Sequence, residues 1–154
     1  MAFKDLLFEN CVLTDVEAQT KEDVIKKIYD CLYTNEKVKP SFYEAVLERE
    51  RTYPTGLELG AINVAIPHVV PEHVKDSALA VAVLKNPVAF GRMDDPDEPL
   101  NVKVVFSIAL AQEGKQLETL QTLMKILESG ETMDQVTKAG TPAEILKILR
   151  KAAE

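Results

Sequence analysis

The chain has 154 residues, 46% of them hydrophobic and 28% charged, a balance that fits one globular domain over residues 1–154 and excludes a disordered chain. Its 18 basic and 25 acidic residues leave a net charge of −7, which argues against nucleic acid as a partner and suits docking onto a basic protein surface. No apolar run approaches the roughly 20 residues that cross a bilayer, and Met1-Ala2-Phe3-Lys4-Asp5 opens no apolar signal region, so a cytoplasmic protein without membrane insertion is expected.

In chain order, a short apolar stretch around Cys11-Val12-Leu13 comes first. Thr20 then offers an N-cap and Glu22 and Asp23 early acids to a helix with Val24, Ile25, Ile28 and Leu32 on one face, ending near Thr34-Asn35. Ser41-Phe42-Tyr43-Glu44 has the Ser-x-x-Glu capping-box pattern, and Phe42, Ala45, Val46 and Arg49 continue a second helix to about Arg51, broken by Pro54-Thr55-Gly56. Cys11 and Cys31 lie twenty positions apart with neither metal-ligand nor redox-pair spacing, which reads as two buried free thiols in a reducing compartment.

The pattern then changes. Asn63 to Pro67, Ala78 to Leu84 and Val102 to Leu110 are nearly continuous in Val, Ile and Ala, as expected of strands covered on both faces. Between the last two, Gly91 to Pro99 is rich in turn formers and carries Asp94, Asp95, Asp97 and Glu98, a solvated connection rather than a metal site. Leu117, Leu120, Leu123, Met124 and Leu127 form an amphipathic stripe expected to pack on the core. A short helix over Thr132 to Lys138 follows. Thr141-Pro142-Ala143-Glu144 then supplies an N-cap, an N1 proline and a capping-box glutamate to a final helix with Ile145, Leu146, Ile148 and Leu149. One strand, two helices, several strands and then helices predict an α/β fold: a three-layer α/β/α sandwich around a central mixed sheet, without internal repeat.

Chemistry concentrates at Ala65-Ile66-Pro67-His68. One of only two histidines stands at the mouth of a buried strand behind a proline whose fixed φ removes backbone freedom where a reactive side chain would have to be aimed. There is no Gly-rich phosphate loop and no Gly-x-Ser-x-Gly elbow, which disfavours nucleotide binding and serine hydrolase chemistry. The remaining polar groups are His68, His73, Arg49, Arg51, Thr55 and Gln116. A neutral imidazole is a nucleophile near pH 7, and a guanidinium fork stabilises a phosphoryl group in transit, so the set fits phosphoryl transfer without metal or cofactor.

Arg49-Glu50, Pro54-Thr55-Gly56-Leu57 and Val64-Ala65-Ile66-Pro67-His68 together resemble the active-site signature of type 2 IIA components of the bacterial phosphoenolpyruvate-dependent sugar phosphotransferase system, the mannitol and fructose superfamily. Glu72-His73-Val74-Lys75, Leu84-Lys85-Asn86-Pro87-Val88 and Gln116-Leu117-Glu118-Thr119-Leu120-Gln121 look most like the galactitol-type branch, so that the resemblance spans roughly residues 5 to 150. It implies a mannitol-IIA-like fold in which His68 takes a phosphoryl group from phospho-HPr and passes it to a cysteine of a IIB component, which phosphorylates a galactitol-like sugar entering through a membrane IIC component.

Many mannitol- and fructose-type members carry a small residue after the active histidine and a second histidine near the start of the later helix, where this chain has Val69 and Gln116. The galactitol-like branch has a histidine five residues after the active one, which His73 matches. The resemblance therefore implies that His73 donates to the phosphoryl oxygens or sets the tautomer of His68, with Gln116 as a neutral amide donor, Arg49 on the phosphate and Thr55 in the site, while Arg51 reads as surface charge. Two other readings stand beside the relay: a regulatory IIA-like protein signalling through protein contacts, and a non-catalytic module binding an anion in the same cavity. The absence of a helix-turn-helix pattern or basic stripe speaks against direct gene control.

Overall fold

The computed structural model describes residues 2–154. Strand β1 (Leu7–Val16) leads into α1 (Lys21–Thr34) and α2 (Phe42–Thr52). Two short strands, β2 (Gly56–Glu58) and β3 (Asn63–Ala65), precede a 3-10 turn over Pro71–His73, the second after one at Phe3–Leu6. A long hairpin of β4 (Ala78–Gly91) and β5 (Pro99–Ala109) follows, and α3 (Gln116–Leu127), α4 (Gly130–Lys138) and α5 (Pro142–Ala152) complete the chain.

The sheet has the order β1-β4-β5-β3-β2. It is mixed, with β1 parallel to β4, β3 parallel to β5, and β4 antiparallel to β5 as β2 is to β3. Alternation along β4 sorts the core into two layers, as the two-residue side-chain period requires. Ala78, Ala80, Ala82 and Leu84 pack with Val24, Ile25, Ile28, Leu32, Phe42 and Val46 of α1 and α2. Leu79, Val81 and Val83 pack with Leu123, Ile126, Met133, Val136, Ile145 and Leu149 of α3 to α5. Helices thus cover both faces of the sheet, and the α/β sandwich with a mixed sheet is as expected.

Several boundaries differ from those expected. β4 runs on past Leu84 through a bulge, since Val83 pairs with Val104 but Val88 with Val102, which places Leu84 to Pro87 opposite Lys103 alone. Pro87, which has no N–H for a ladder, falls inside that irregularity. Gly91 and Pro99 belong to the strands, leaving only Arg92 to Glu98 as the connection, where Asp94 pairs with Arg92 at 2.9 Å. β2 has no apolar run to announce it and forms by pairing with β3.

The caps expected at Thr20 and Thr141 form, and Ser129 adds one that was not expected from the sequence. The side chains of Thr20, Ser129 and Thr141 accept from the backbone N–H groups of Asp23, Thr132 and Glu144. Ser41 does not cap α2: its φ of −73° and ψ of −10° are already helical, and its hydroxyl is bonded to His73 instead. On α3 the buried face is Thr119, Leu123, Ile126 and Leu127. Leu117 is 69% exposed, because at 100° per residue it sits roughly 80° around the helix from Leu127.

Cys11 is buried as expected, its thiol 3.6 Å from Asn10 Oδ1, but Cys31 is only half-buried. Cys31 Sγ–H donates to the Asn10 carbonyl at 2.9 Å. The pair splits electrostatically: the neighbouring Cys31 together with burial pushes the Cys11 thiol up, while Cys11 and Asn35 bring Cys31 down.

Candidate functional site

The site lies where β3 ends. β3 runs parallel to β5, and beyond it the chain stays attached: Ile108 N–H donates to the Pro67 carbonyl at 3.0 Å, and His68 bridges to Ile108. With Pro67 fixing φ immediately before it, His68 stands on backbone held from both sides. Its ring is part-buried, and Nδ1 lies 2.8 Å from the Ile66 carbonyl oxygen. A carbonyl oxygen only accepts, so Nδ1 carries the proton and Nε2 keeps its lone pair. Burial lowers the His68 pKa below its ordinary value, the bond to Ile66 raises it, and the nearby Arg49 guanidinium lowers it again. The ring is therefore neutral at pH 7.

Arg49 occupies the last turn of α2, and its guanidinium carbon lies 5.5 Å from the centre of the Tyr53 ring. Its Nε is buried and has no hydrogen-bond partner among the described residues. A buried guanidinium donor without an acceptor costs free energy unless an acceptor arrives, and an anion is the acceptor whose geometry suits it. Arg49 lines an open groove of about 270 Å³ together with Tyr53, Val69, Val70 and His73; His68 itself is not among the lining residues, its chain neighbour Val69 is. Tyr53 and Val70 are exposed apolar surface at its rim.

His73 closes the 3-10 turn and reaches the groove, but its Nδ1 is 2.8 Å from Ser41 Oγ and its Nε2 is 3.6 Å from Glu72 Oε1. The bond at His68 Nδ1 goes to the Ile66 carbonyl, so the backbone takes the tautomer-setting part that the resemblance offered His73. Gln116, the first residue of α3, donates from Nε2 to the Val69 carbonyl at 3.2 Å, tying that helix to the residue after His68.

Thr55 is buried and its hydroxyl is fully engaged. Its Oγ1–H faces both oxygens of Glu50 at 3.1 Å, its N–H donates to Glu50 Oε1 at 2.9 Å, and its Oγ1 accepts from Ile66 N–H at 3.1 Å. Glu50 is a site residue beyond those expected from the sequence, and the only local signal for it is its place in the Arg49-Glu50 pair ahead of Pro54-Thr55-Gly56. It is 1% exposed, and burial raises its pKa against the lowering by the Thr55 bonds and by the charges of Lys21 and Arg49.

The mixed α/β sheet thus brings a neutral imidazole near a buried guanidinium whose Nε has no partner among the described residues. Residues 5–152 match the family model described as phosphoenolpyruvate-dependent sugar phosphotransferase system, EIIA 2, and the chain belongs to that family. Its members are phosphotransferases that act through a phosphohistidine intermediate. The ascorbate-specific EIIA component of Shigella boydii is 27% identical over 151 residues, which cover 97% of this chain and 96% of that one. Among solved structures, a putative PTS IIA domain from Streptococcus pyogenes superimposes with a TM-score of 0.82 at 20% identity, covering 100% and 99% of the two chains. The mannitol IIA of Escherichia coli, in its complex with phosphorylated mannitol IIB, gives 0.78 at 22% identity over 94% and 97%. No helix among the described residues is long and apolar enough to cross a membrane.

Proposed function

We propose that His68 is the phosphoryl acceptor, with Nε2 as the nucleophile, in a chain that works as one EIIA domain over residues 1–154. The observation that carries this reading is the neutral ring with Nδ1–H committed to the Ile66 carbonyl, which leaves Nε2 free. The Nε2 lone pair attacks the phosphorus of the phosphohistidine on HPr, and the donor's P–N bond breaks as the new one forms. Positive charge appearing on the His68 ring is stabilised through the Nδ1–H bond. Arg49, whose Nε lacks a partner among the described residues, meets the transferring oxygens. In the second step a thiolate of a IIB component attacks the phosphorus, and His68 departs with the lone pair restored on Nε2. The mannitol IIA and IIB complex supports a IIB component as the acceptor, and a membrane IIC component enters only through IIB.

Gln116 supports the segment after His68 through Val69, and His73, on the groove, is placed to meet the incoming phosphoryl oxygens or partner. The negatively charged chain suits basic partner surfaces. As to cargo, the segments around His73, Pro87 and Gln116 resemble the galactitol type, while curated relatives named for ascorbate favour an ascorbate system as the second reading. The carrier never touches the sugar, so the IIB partner decides.

The test is labelling from phosphoenolpyruvate with enzyme I and HPr. One acid-labile, base-stable phosphate is expected, lost in His68→Ala; unchanged labelling of that variant overturns the assignment. His73→Ala is expected to keep the label and slow its onward transfer. Transfer to galactitol-type or to ascorbate-type IIB cysteines separates the two cargo readings, and normal labelling with transfer to no IIB favours a regulatory IIA-like protein.

A further inference from the structure

We infer that Glu50 and Thr55 are positioning residues for the phosphoryl acceptor, forming a buried hydrogen-bonded strut that aims His68. This rests on the reading of His68 as the acceptor. The strut has three links. The Glu50 carboxylate at the end of α2 receives both donors of Thr55, the N–H at 2.9 Å and the hydroxyl at 3.1 Å. The Thr55 hydroxyl oxygen then accepts the Ile66 N–H at 3.1 Å, the shorter branch of a bond shared with the Thr55 carbonyl at 3.4 Å. The carbonyl of that same Ile66 accepts His68 Nδ1–H at 2.8 Å.

The direction of each proton follows from chemistry. The carboxylate only accepts, so the single Thr55 hydroxyl proton points to Glu50 and its lone pairs face Ile66 N–H. Thr55 therefore fixes the Ile66 N–H, and Pro67, with no N–H and a fixed φ, limits how the Ile66 carbonyl and His68 can turn relative to it. Glu50, Thr55 and Ile66 are each at most 3% exposed, so no solvent molecule substitutes cheaply for a lost link. Buried against its own preference and bonded by Thr55 rather than lining the groove, the Glu50 carboxylate is explained by holding the acceptor loop to α2, the helix that carries Arg49. The strut thus sets the two reacting-side groups, His68 and Arg49, in one frame.

Thr55→Val keeps the shape and removes the hydroxyl, and Thr55→Ser restores the hydroxyl alone. In the unphosphorylated protein, ring ¹⁵N shifts are expected to show His68 as the Nδ1–H tautomer in wild type and Thr55→Ser, and as a mixture of tautomers in Thr55→Val. Phosphorylation by phospho-HPr is expected to slow on the order of tenfold to a hundredfold in Thr55→Val, the scale of a misplaced reactive group, and to recover in Thr55→Ser. Glu50→Gln, with one acceptor oxygen in place of two, is expected to fall between them. Wild-type ring shifts together with a wild-type rate in Thr55→Val, confirmed folded by its thermal transition, overturn the strut. The ring measurement needs no phosphoryl donor, so it judges the strut even where labelling of His68→Ala has overturned the acceptor assignment.

Discussion

His68 is kept neutral chiefly by burial, with Arg49 adding to that effect and the Ile66 carbonyl opposing it. The sign has two consequences. Its titration midpoint, followed by ring NMR, is expected below the ordinary 6.5, so that the nucleophile is intact throughout the neutral range. A midpoint at or above that value contradicts the buried ring. For stability, the unfolded chain takes the proton first as pH falls, so the contribution of the neutral ring is present above pH 6.5 and is lost as acid drives the pH down towards the folded pKa. Urea unfolding across that window is expected to show His68→Gln with a flatter pH slope than wild type. The imidazole itself was legible in the sequence as a rare histidine behind a proline; its tautomer was not, because the carbonyl that fixes it belongs to Ile66 and its direction depends on the folded chain.

At the scale of elements, short-range patterns foretold helices better than they foretold caps. Thr141 and Ser41 stand before equally plausible Ser/Thr-x-x-Glu patterns, yet only Thr141 accepts from the N–H three residues on. Thr141→Ala is accordingly expected to cost about 1 kcal/mol, whereas Ser41→Ala, which removes no cap, is expected to stay within about 0.5 kcal/mol, both read by denaturant midpoints. An equal loss in the two variants would mean that Ser41 caps α2 in solution. The reason the pattern misled is tertiary: the turn ending in His73 comes within 2.8 Å of the Ser41 hydroxyl and claims it. In the same way β4 was legible only to Leu84, since beyond that point a bulge breaks the two-residue alternation on which strand recognition depends.

Across the whole molecule, the site depends on a close approach between segments 35 residues apart in sequence. Gly56 at the start of β2 lies against the end of the β4–β5 hairpin, where a Cβ would come 2.5 Å from the Gly91 carbonyl oxygen, and Met93 N–H donates to the Gly56 carbonyl at 2.9 Å. The obstacle is backbone and cannot swing aside. Gly56→Ala is therefore expected to destabilise the protein by about 1–3 kcal/mol and, by shifting Thr55, to slow phosphorylation of His68 in the molecules that remain folded. A variant with wild-type stability and rate would show that the hairpin end yields freely. The long hairpin thus braces the segment that leads into the site, although it contributes none of the reacting groups.

The sequence by itself determined the amphipathic faces of α1 and α5, the apolar strands of the central sheet, and the residue types able to carry a phosphoryl group. These are local: they follow from helical and two-residue periods, from proline's fixed φ and from the chemistry of single side chains. Only the tertiary structure decided that Cys11 meets Cys31, that Ser41 serves His73, and that Glu50 is buried against Thr55. Each of those is a partnership across a turn or between elements. The physical reason is the same throughout, since a polar group's partner is fixed by which elements pack together and which water they exclude, and neither is written in the spacing of residues along the chain.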